Sequence, residues 1–122
     1  LNILLPAYND SQGVTAAFNL NLLARINREL GADFHLDRFR HEATYNEVDG
    51  RIEMYLISER AQMVQLGGVR IPFHRGERIC TEHSYKYDVE ELPALAATAD
   101  FAIRNVWMDE RRWFSVQYLT LP

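Results

Sequence analysis

A carboxylate and a hydroxyl lie two residues apart in the extended run Cys80-Thr81-Glu82-His83-Ser84. Side chains at positions i and i+2 of a β-strand point to the same side, so Glu82 and Ser84 would face one ligand from about 7 Å apart. Together they could bind both nitrogens of an imidazole, or any small group that offers hydrogen-bond donors. The alternative is a solvated strand face with a polar pair, and spacing alone favours that alternative, because exposed glutamate and serine need no special explanation.

A second candidate is Tyr8-Asn9-Asp10, which precedes the clearest helical pattern in the chain. The N–H groups at a helix N-terminus favour an anionic group such as a substrate carboxylate. Ordinary capping is the simpler explanation, with Asp10 as a cap, Asn9 as a turn residue and Tyr8 as a packing residue. Thr15, in the first turn of the predicted helix, has the same two interpretations.

Other reactive side chains do not form a recognisable motif. His35 and His41 are six residues apart, and His74 and His83 lie far along the chain, so no metal site is expected. Cys80 is predicted to be a small buried thiol rather than a nucleophile. The aromatic residues lack an accompanying basic stripe, so a nucleic-acid stacking surface is not predicted either.

The composition describes the kind of protein that must position these groups. The chain has 122 residues, 48% hydrophobic and 25% charged, which fits one compact soluble domain. A net charge of −4 argues against a nucleic-acid partner, and a single cysteine excludes an internal disulfide. With no membrane-length apolar run and no secretory pattern, a cytoplasmic protein is expected. Because the chain begins at Leu1 and its six glycines lack a nucleotide-loop spacing, we expect a piece of a longer protein.

An amphipathic helix is predicted from Val14 to a stop at Gly31, with Asp10 and Ser11 as candidate caps. Its core-facing stripe is predicted to consist of Phe18, Leu22, Leu23, Ile26 and Leu30. Its water-facing side is predicted to carry Asn19, Asn21, Arg25, Arg28 and Glu29.

The periodicity changes to two from about Phe39, and Asp49-Gly50 predicts a tight hairpin. In the strand that follows, one face carries Ile52, Met54 and Leu56. Three more extended runs, separated by turns at Gly67-Gly68 and at residues 74–77, complete a predicted antiparallel meander. Pro72 places its strand at an edge or at its end.

The C-terminal part combines a helix with a hairpin. Asp88 and Glu91 form a capping-box pattern before a helix that reaches about Ala99, with Pro93 delaying its regular part until after Leu92. Extended runs at 101–108 and 113–121 then form a closing hairpin. The predicted fold class is α+β, with the first helix packed on the meander and the second helix followed by the hairpin.

Taken together, several segments resemble the histidine-specific methyltransferase family, and the resemblance covers nearly the whole chain in the same order. The segments are Tyr8-Asn9-Asp10, residues 13–19, residues 27–34, Ile52-Glu53-Met54 and residues 81–87. The resemblance implies an intact enzyme of about 300 residues, with a Rossmann-like methyltransferase domain and a smaller substrate domain. Residues 1–87 would be part of the substrate-recognition domain, and residues 88–122 the C-terminal end of the methyltransferase sheet.

The resemblance also implies roles for individual residues. The family's substrate tyrosine, a catalytic group, falls on Tyr8, and its apolar neighbour of the imidazole falls on Met54. The glutamate and serine that hold the imidazole fall on Glu82 and Ser84, and Thr15 matches a threonine near the histidine head group. S-adenosylmethionine would be bound mainly by upstream sequence, so neither cofactor-binding residues nor metal ligands are expected in this chain.

The implied reaction transfers methyl groups to the α-amino nitrogen of histidine, as in ergothioneine biosynthesis, with Tyr8 orienting the head group. Two alternatives remain: a methyltransferase of the same family that acts on another amine, and a non-catalytic module that binds a small ligand or a partner. The expected partner is a small amino acid, with neither nucleic acid nor membrane involved, and the intact enzyme is expected to be a monomer. The isolated chain is expected to be inactive and to self-associate through exposed apolar edges at residues 101–121.

Overall fold

Two helices open the chain in the computed structural model, which describes residues 1–122. The first, α1 (Leu4–Tyr8), is a five-residue helix that the sequence pattern did not predict. The second, α2 (Val14–Leu30), ends at Gly31, as predicted, where φ is +66°. Glycine adopts this left-handed conformation without the steric cost of a Cβ atom.

Asp10 caps α2 from outside the helix. Its carboxylate accepts hydrogen bonds of 2.9 Å from the backbone N–H groups of both Val14 and Thr15. These bonds stabilise the charged form and lower the pKa of Asp10 from 3.8 to about 2. The predicted capping role of Asp10 is therefore confirmed, although Gly13 occupies the N-cap position itself.

The buried side of α2 differs from the predicted stripe. Leu23 is 1% exposed, whereas Phe18, Leu22 and Leu30 are exposed at the surface of the chain. Asn19, predicted to face water, is only 2% exposed. The helix is apolar on two neighbouring sides, and packing on the sheet selects the one through Leu23 and Ile26. The predicted stripe is therefore confirmed at Leu23 and Ile26 and wrong at the three exposed residues.

Five strands follow: β1 (Phe39–Asn46), β2 (Arg51–Ser58), β3 (Gln62–Leu66), β4 (Val69–Phe73) and β5 (Arg78–Tyr85). All pairings are antiparallel, and the hairpin predicted at Asp49-Gly50 joins β1 to β2. The predicted meander is wrong in its connectivity. The main sheet has the order β1-β2-β5, while β3 and β4 form a separate two-stranded ribbon.

The strand order follows from what each strand can bury. β2 is the most buried strand and pairs along both edges, with β1 and with β5. The shorter β3–β4 ribbon instead contributes Val64 and Phe73 to the main core. Pro72 lies next to the end of β4, an edge strand where its missing N–H breaks no ladder bond, as predicted.

Two apolar clusters organise residues 1–85, which form one compact unit. The larger cluster lies beneath α2 and contains Leu23, Phe34, Phe39, Leu56, Val64 and Phe73. The smaller cluster joins Ala43, Ile52 and Met54 of the sheet to α1 through Leu4, Leu5 and Tyr8. The smaller cluster therefore fixes α1 over one end of the main sheet.

Residues 86–122 form a second compact unit. It contains α3 (Leu92–Ala97), with a proline in its first turn, and the predicted hairpin of β6 (Ala102–Met108) and β7 (Ser115–Thr120). α3 is shorter than predicted and ends two residues before Ala99. Large apolar side chains of this unit are exposed, including Trp107, Trp113 and Phe114. The α+β class is confirmed, and none of the helices is long and apolar enough to cross a bilayer.

Candidate functional site

The main sheet has two faces that differ in chemistry. We call the face that carries Ile52, Met54 and Leu56 the inner face, since α1 and α2 pack against it. The opposite face, which carries Arg51, Glu53 and Tyr55, is the outer face. Cross-strand partners point to the same side of a sheet, so the pairing register assigns each residue of β5 to one face.

Glu82 and Ser84 both lie on the inner face. Glu82 is the partner of Met54, and Ser84 is the partner of Ile52. The predicted same-side arrangement of Glu82 and Ser84 is therefore confirmed, and so is the shared face of Ile52, Met54 and Leu56. Their side is the one that α1 and α2 partly cover, rather than a fully solvated strand face.

Glu82 lines a cleft of about 200 Å³ between α2 and the sheet. Met54, which is 2% exposed, lines the same cleft. The helix side is formed by Phe18, Leu22 and Arg25, which the sequence pattern had assigned to the core or to open water. The volume is below the roughly 300–1,000 Å³ typical of sites for drug-sized ligands, so the cleft suits a small group such as an aromatic ring.

Glu82 forms no hydrogen bond or ion pair with any other side chain of the chain. Arg25, the one cationic residue in the cleft lining, is bound instead to Glu29, with Nε 3.2 Å from Oε1. A half-buried carboxylate without a donor can accept hydrogen bonds from a ligand, and the cleft places an apolar wall beside it.

Tyr8 and Ser84 form a pair next to Glu82 on the inner face. The Tyr8 hydroxyl lies 3.0 Å from Ser84 Oγ, and either oxygen can be the donor. Ser84 is two residues beyond Glu82 on β5, so α1 brings the predicted tyrosine to the same stretch of strand. Three of the predicted site residues, Tyr8, Glu82 and Ser84, are thus neighbours, with Met54 beside Glu82.

A side-chain network holds the end of α1 on β1. The Asn9 amide donates to the carbonyl of Ala43 at 2.9 Å and accepts from the Ala43 N–H at 3.0 Å. These are the bonds that another strand would have made with the edge strand β1. Asn9 is therefore a docking residue for α1 rather than only a turn residue.

The same end of α1 is held by a histidine. His41 Nε2 lies 2.7 Å from the Tyr8 carbonyl, and His41 Nδ1 lies 3.0 Å from the Asn19 amide nitrogen. If Asn19 donates to Nδ1, then Nε2 carries the proton that reaches the carbonyl. Asn19 also donates to the Tyr55 carbonyl, which explains why this polar residue can be buried. Sequence reasoning missed both Asn19 and His41 as positioning residues.

Thr15 is not among the residues that line the cleft. Its N–H is bound to Asp10, and its hydroxyl donates to the Ala7 carbonyl at 3.4 Å. These contacts tie the first turn of α2 to α1, so the structure gives Thr15 a local role.

The outer face carries Cys80 and His83, to which the sequence pattern assigned no function. Cys80, predicted to be buried, is exposed there, because it pairs with Tyr55 and points away from the core. Its Sγ lies 3.2 Å from His83 Nε2. No three His, Cys, Asp or Glu side chains lie close enough together to bind a metal ion.

Glu53 is the centre of a polar network on the outer face. Its carboxylate accepts hydrogen bonds from the Tyr55 hydroxyl, from Asn46 Nδ2 at 3.0 Å and from Arg51 Nε at 2.8 Å. These donors lower the pKa of Glu53 from 4.5 to about 2. The hydrogen bond between Tyr55 and Glu53 also raises the pKa of Tyr55.

Comparison with known proteins decides the family. A family model described as histidine-specific methyltransferase, SAM-dependent, matches residues 1–121. The chain belongs to this family. The resemblance inferred from the sequence motifs is thereby confirmed.

Relatives of this methyltransferase family are similar to the chain over most of its length. The histidine N-alpha-methyltransferase of Mycolicibacterium smegmatis is 44% identical over 108 residues, which cover 87% of this chain and 34% of that protein. The protein of the same name from Mycobacterium tuberculosis is 43% identical over 109 residues, covering 88% of this chain and 34% of the relative. Ergothioneine biosynthesis protein 1 of Neurospora crassa is 35% identical over 104 residues, covering 83% of this chain and 11% of the relative. The chain thus spans about a third of the length of the two bacterial methyltransferases.

S-adenosylmethionine, the cofactor that the family name implies, needs a loop where the backbone approaches closely, usually a glycine-rich one. In this chain all six glycines have positive φ and serve helix ends or turns. They are Gly13, Gly31, Gly50, Gly67, Gly68 and Gly76. The described residues therefore do not fit a cofactor loop of that kind.

Proposed function

We propose that the chain is part of an S-adenosylmethionine-dependent methyltransferase that methylates the α-amino group of histidine, and that residues 1–85 bind the histidine. The observation that carries the proposal is the half-buried carboxylate of Glu82, which has no partner in the chain and lines a small cleft beside Met54. Family membership and the two bacterial relatives named histidine N-alpha-methyltransferase support it.

Ring recognition follows from the chemistry of Glu82 and Ser84. A neutral imidazole has one N–H donor and one acceptor nitrogen. In our proposal the N–H donates to the Glu82 carboxylate and the other nitrogen accepts from the Ser84 hydroxyl, while Met54 packs against the ring. An amino acid without the ring would leave Glu82 desolvated and unpaired, and mismatches of this kind discriminate strongly between substrates.

In this proposal the Tyr8 hydroxyl orients the head group of the bound amino acid, and on binding it would exchange its contact with Ser84 Oγ, 3.0 Å away, for a contact with the ligand. Methyl transfer needs the lone pair of a neutral amine in line with the methyl group, so the contribution of the chain is positioning rather than acid–base chemistry. Holding the ring at Glu82 and Ser84 allows binding free energy to orient the amine at the far end. S-adenosylmethionine supplies the methyl group when it is bound, in our proposal mainly by parts of the enzyme outside these residues.

Residues 86–122 have a separate role in the proposal. We infer that α3 and the β6–β7 hairpin are the C-terminal end of the Rossmann-like methyltransferase sheet. Their exposed apolar side chains support this assignment, because a two-stranded hairpin with large exposed aromatic residues requires further packing partners to be stable.

Calorimetric titration of histidine into the full-length protein tests the proposal. Glu82→Ala should weaken histidine binding by about ten- to a hundredfold, the effect of removing a charged hydrogen-bond acceptor. Glu59→Ala, at an exposed glutamate outside the cleft, is the matched control and should leave the affinity unchanged. Unchanged histidine affinity in Glu82→Ala would remove Glu82 from the binding site.

Labelled S-adenosylmethionine and a panel of amino acids test the substrate. Histidine should be methylated in preference to amino acids of similar size that lack an imidazole. Preferred methylation of another amine would keep the chain in its family but contradict the assignment of histidine as its substrate.

A further inference from the structure

A β-bulge in β5 decides which face Glu82 and Ser84 occupy. Before the bulge, Ile79 and Cys80 pair with Leu56 and Tyr55, and after it Glu82 pairs with Met54. One residue, Thr81, is therefore extra on β5 and opposes no residue of β2. A single extra residue reverses the alternation of every side chain that follows it.

Without the bulge, the site residues would point the other way. Ile79 lies on the inner face and is partly buried against the main core. A regular strand that kept Ile79 there would turn Thr81 and His83 inward, and would turn Glu82 and Ser84 toward the outer face. On the outer face Glu82 would lie on the same side as the carboxylate of Glu53, where like charges repel.

The Thr81 side chain stabilises the bulge that it forms. Its hydroxyl donates to the backbone carbonyl of Met54 at 3.1 Å. Met54 is 2% exposed, and the ladder is interrupted at this point between Met54 and Tyr55. The hydroxyl bond therefore ties the extra residue of β5 to the backbone of β2 at the point where the register shifts.

We propose that Thr81 is a positioning residue for ligand recognition, because its hydroxyl bond to Met54 maintains the bulge that turns Glu82 into the cleft and Ser84 to the same inner face. This inference rests on the proposed function, in which Glu82 and Ser84 hold the ring. The inference adds Thr81 to the residues on which ligand binding depends. Thr81 would act through Glu82 and through the backbone of Met54.

The test measures histidine affinity of the full-length protein by calorimetry. Thr81→Val keeps the branched shape but removes the hydroxyl, and should weaken histidine binding by about tenfold through misplacement of Glu82. Thr81→Ser keeps the hydroxyl and should bind within about twofold of the unmodified protein. If Thr81→Val does not fold, Thr81→Ala compared with Thr81→Ser repeats the comparison with a smaller side chain.

A double-mutant cycle separates positioning from general destabilisation. If Thr81 acts through Glu82, Thr81→Val should change histidine affinity less than about twofold when it is added to Glu82→Ala. The inference would be overturned if the two substitutions weakened histidine affinity by factors that multiply in the double variant. Full histidine affinity in Thr81→Val would overturn it as well. If Glu82→Ala weakens binding while Thr81→Val does not, the inference fails and the proposed function stands. If neither variant weakens binding, the proposed ligand site itself fails.

The contact of Cys80 with His83 gives a readout that does not depend on activity. The bulge places two residues that are three apart on the same face, with Sγ 3.2 Å from Nε2. Nitrogen NMR of the His83 ring in the full-length protein, assigned by comparison with His83→Asn, should change in Thr81→Val and not in Thr81→Ser. An unchanged ring signal in Thr81→Val would show that the hydroxyl does not hold the bulge and would overturn the inference.

Discussion

The two faces of the main sheet each carry a glutamate, and the two carboxylates have opposite surroundings. Glu53 on the outer face accepts hydrogen bonds from Tyr55, Asn46 and Arg51. Glu82 on the inner face lines a cleft and has no donor in the chain. A carboxylate whose oxygens already accept hydrogen bonds from the protein stabilises the fold. A half-buried carboxylate that has no such donors is available to a ligand.

The contrast shows that burial alone does not identify a binding group. Glu53 is the more buried and its pKa is shifted to about 2, yet its donors all come from its own sheet. Perturbed pKa values often mark functional sites, but structural networks produce them too. Here the informative property is the missing hydrogen-bond partner of Glu82 beside an apolar wall.

The largest expected effect concerns the inner face, which has a core end around Leu56 and a ligand end formed by Tyr8, Met54, Glu82 and Ser84. Leu56 is fully buried in the main core, next to the ligand end at Met54. Leu56→Ala should lower the free energy of unfolding by about 2–5 kcal/mol, through lost burial and a cavity. Urea denaturation of the full-length protein measures this, with Val48→Ala, at a side chain that is 95% exposed, as the control. A loss no greater than that of the control would show that the core end is not tightly packed.

A smaller effect is expected at the hydroxyl pair of the ligand end. Tyr8→Phe removes the hydroxyl that lies 3.0 Å from Ser84 Oγ, and should weaken histidine binding by about three- to tenfold. Tyr118→Phe, at an exposed tyrosine in the second unit, provides the control. Calorimetry measures the histidine affinity of both variants. Equal affinities would place Tyr8 outside the ligand end.

The smallest effect concerns pH and the outer face. The folded-state pKa of Glu53, about 2, is below its ordinary value of 4.5, so its network stabilises the fold above about pH 4.5. That stabilisation should be lost progressively as the pH falls from about 4.5 toward 2. Denaturation midpoints of the full-length protein should fall less steeply across this window in Glu53→Gln. Asp10 also has a lowered pKa, so some slope should remain. An identical slope in the variant would show that the network does not contribute.

Local patterns predicted much of the site and several elements. Period-two alternation sufficed to place Glu82 and Ser84 on one side, because that relation depends only on neighbouring residues. The helix stop at Gly31 and the hairpin at Asp49-Gly50 depend on backbone conformations that glycine favours, and both were correct.

Other features depend on contacts distant in sequence and could not be predicted in the same way. β5 pairs with β2 and carries one extra residue at Thr81. Both features depend on which side chains the assembled core can bury. Asn19 was assigned to water because it is polar, and only its bonds to His41 and to the Tyr55 carbonyl make its burial possible. A polar residue between two apolar stripes of α2 was the available signal, but it did not identify the partner.

One paired measurement tests the central claim that the two glutamates have different tasks. Glu82→Gln and Glu53→Gln are made in the same full-length protein, and histidine affinity and urea midpoint are measured for each. The account predicts that Glu82→Gln weakens histidine binding by about tenfold or more without lowering the midpoint, and that Glu53→Gln lowers the midpoint while histidine affinity stays within about twofold. Full histidine affinity in Glu82→Gln, or a loss of affinity of the same size in both variants, would contradict it.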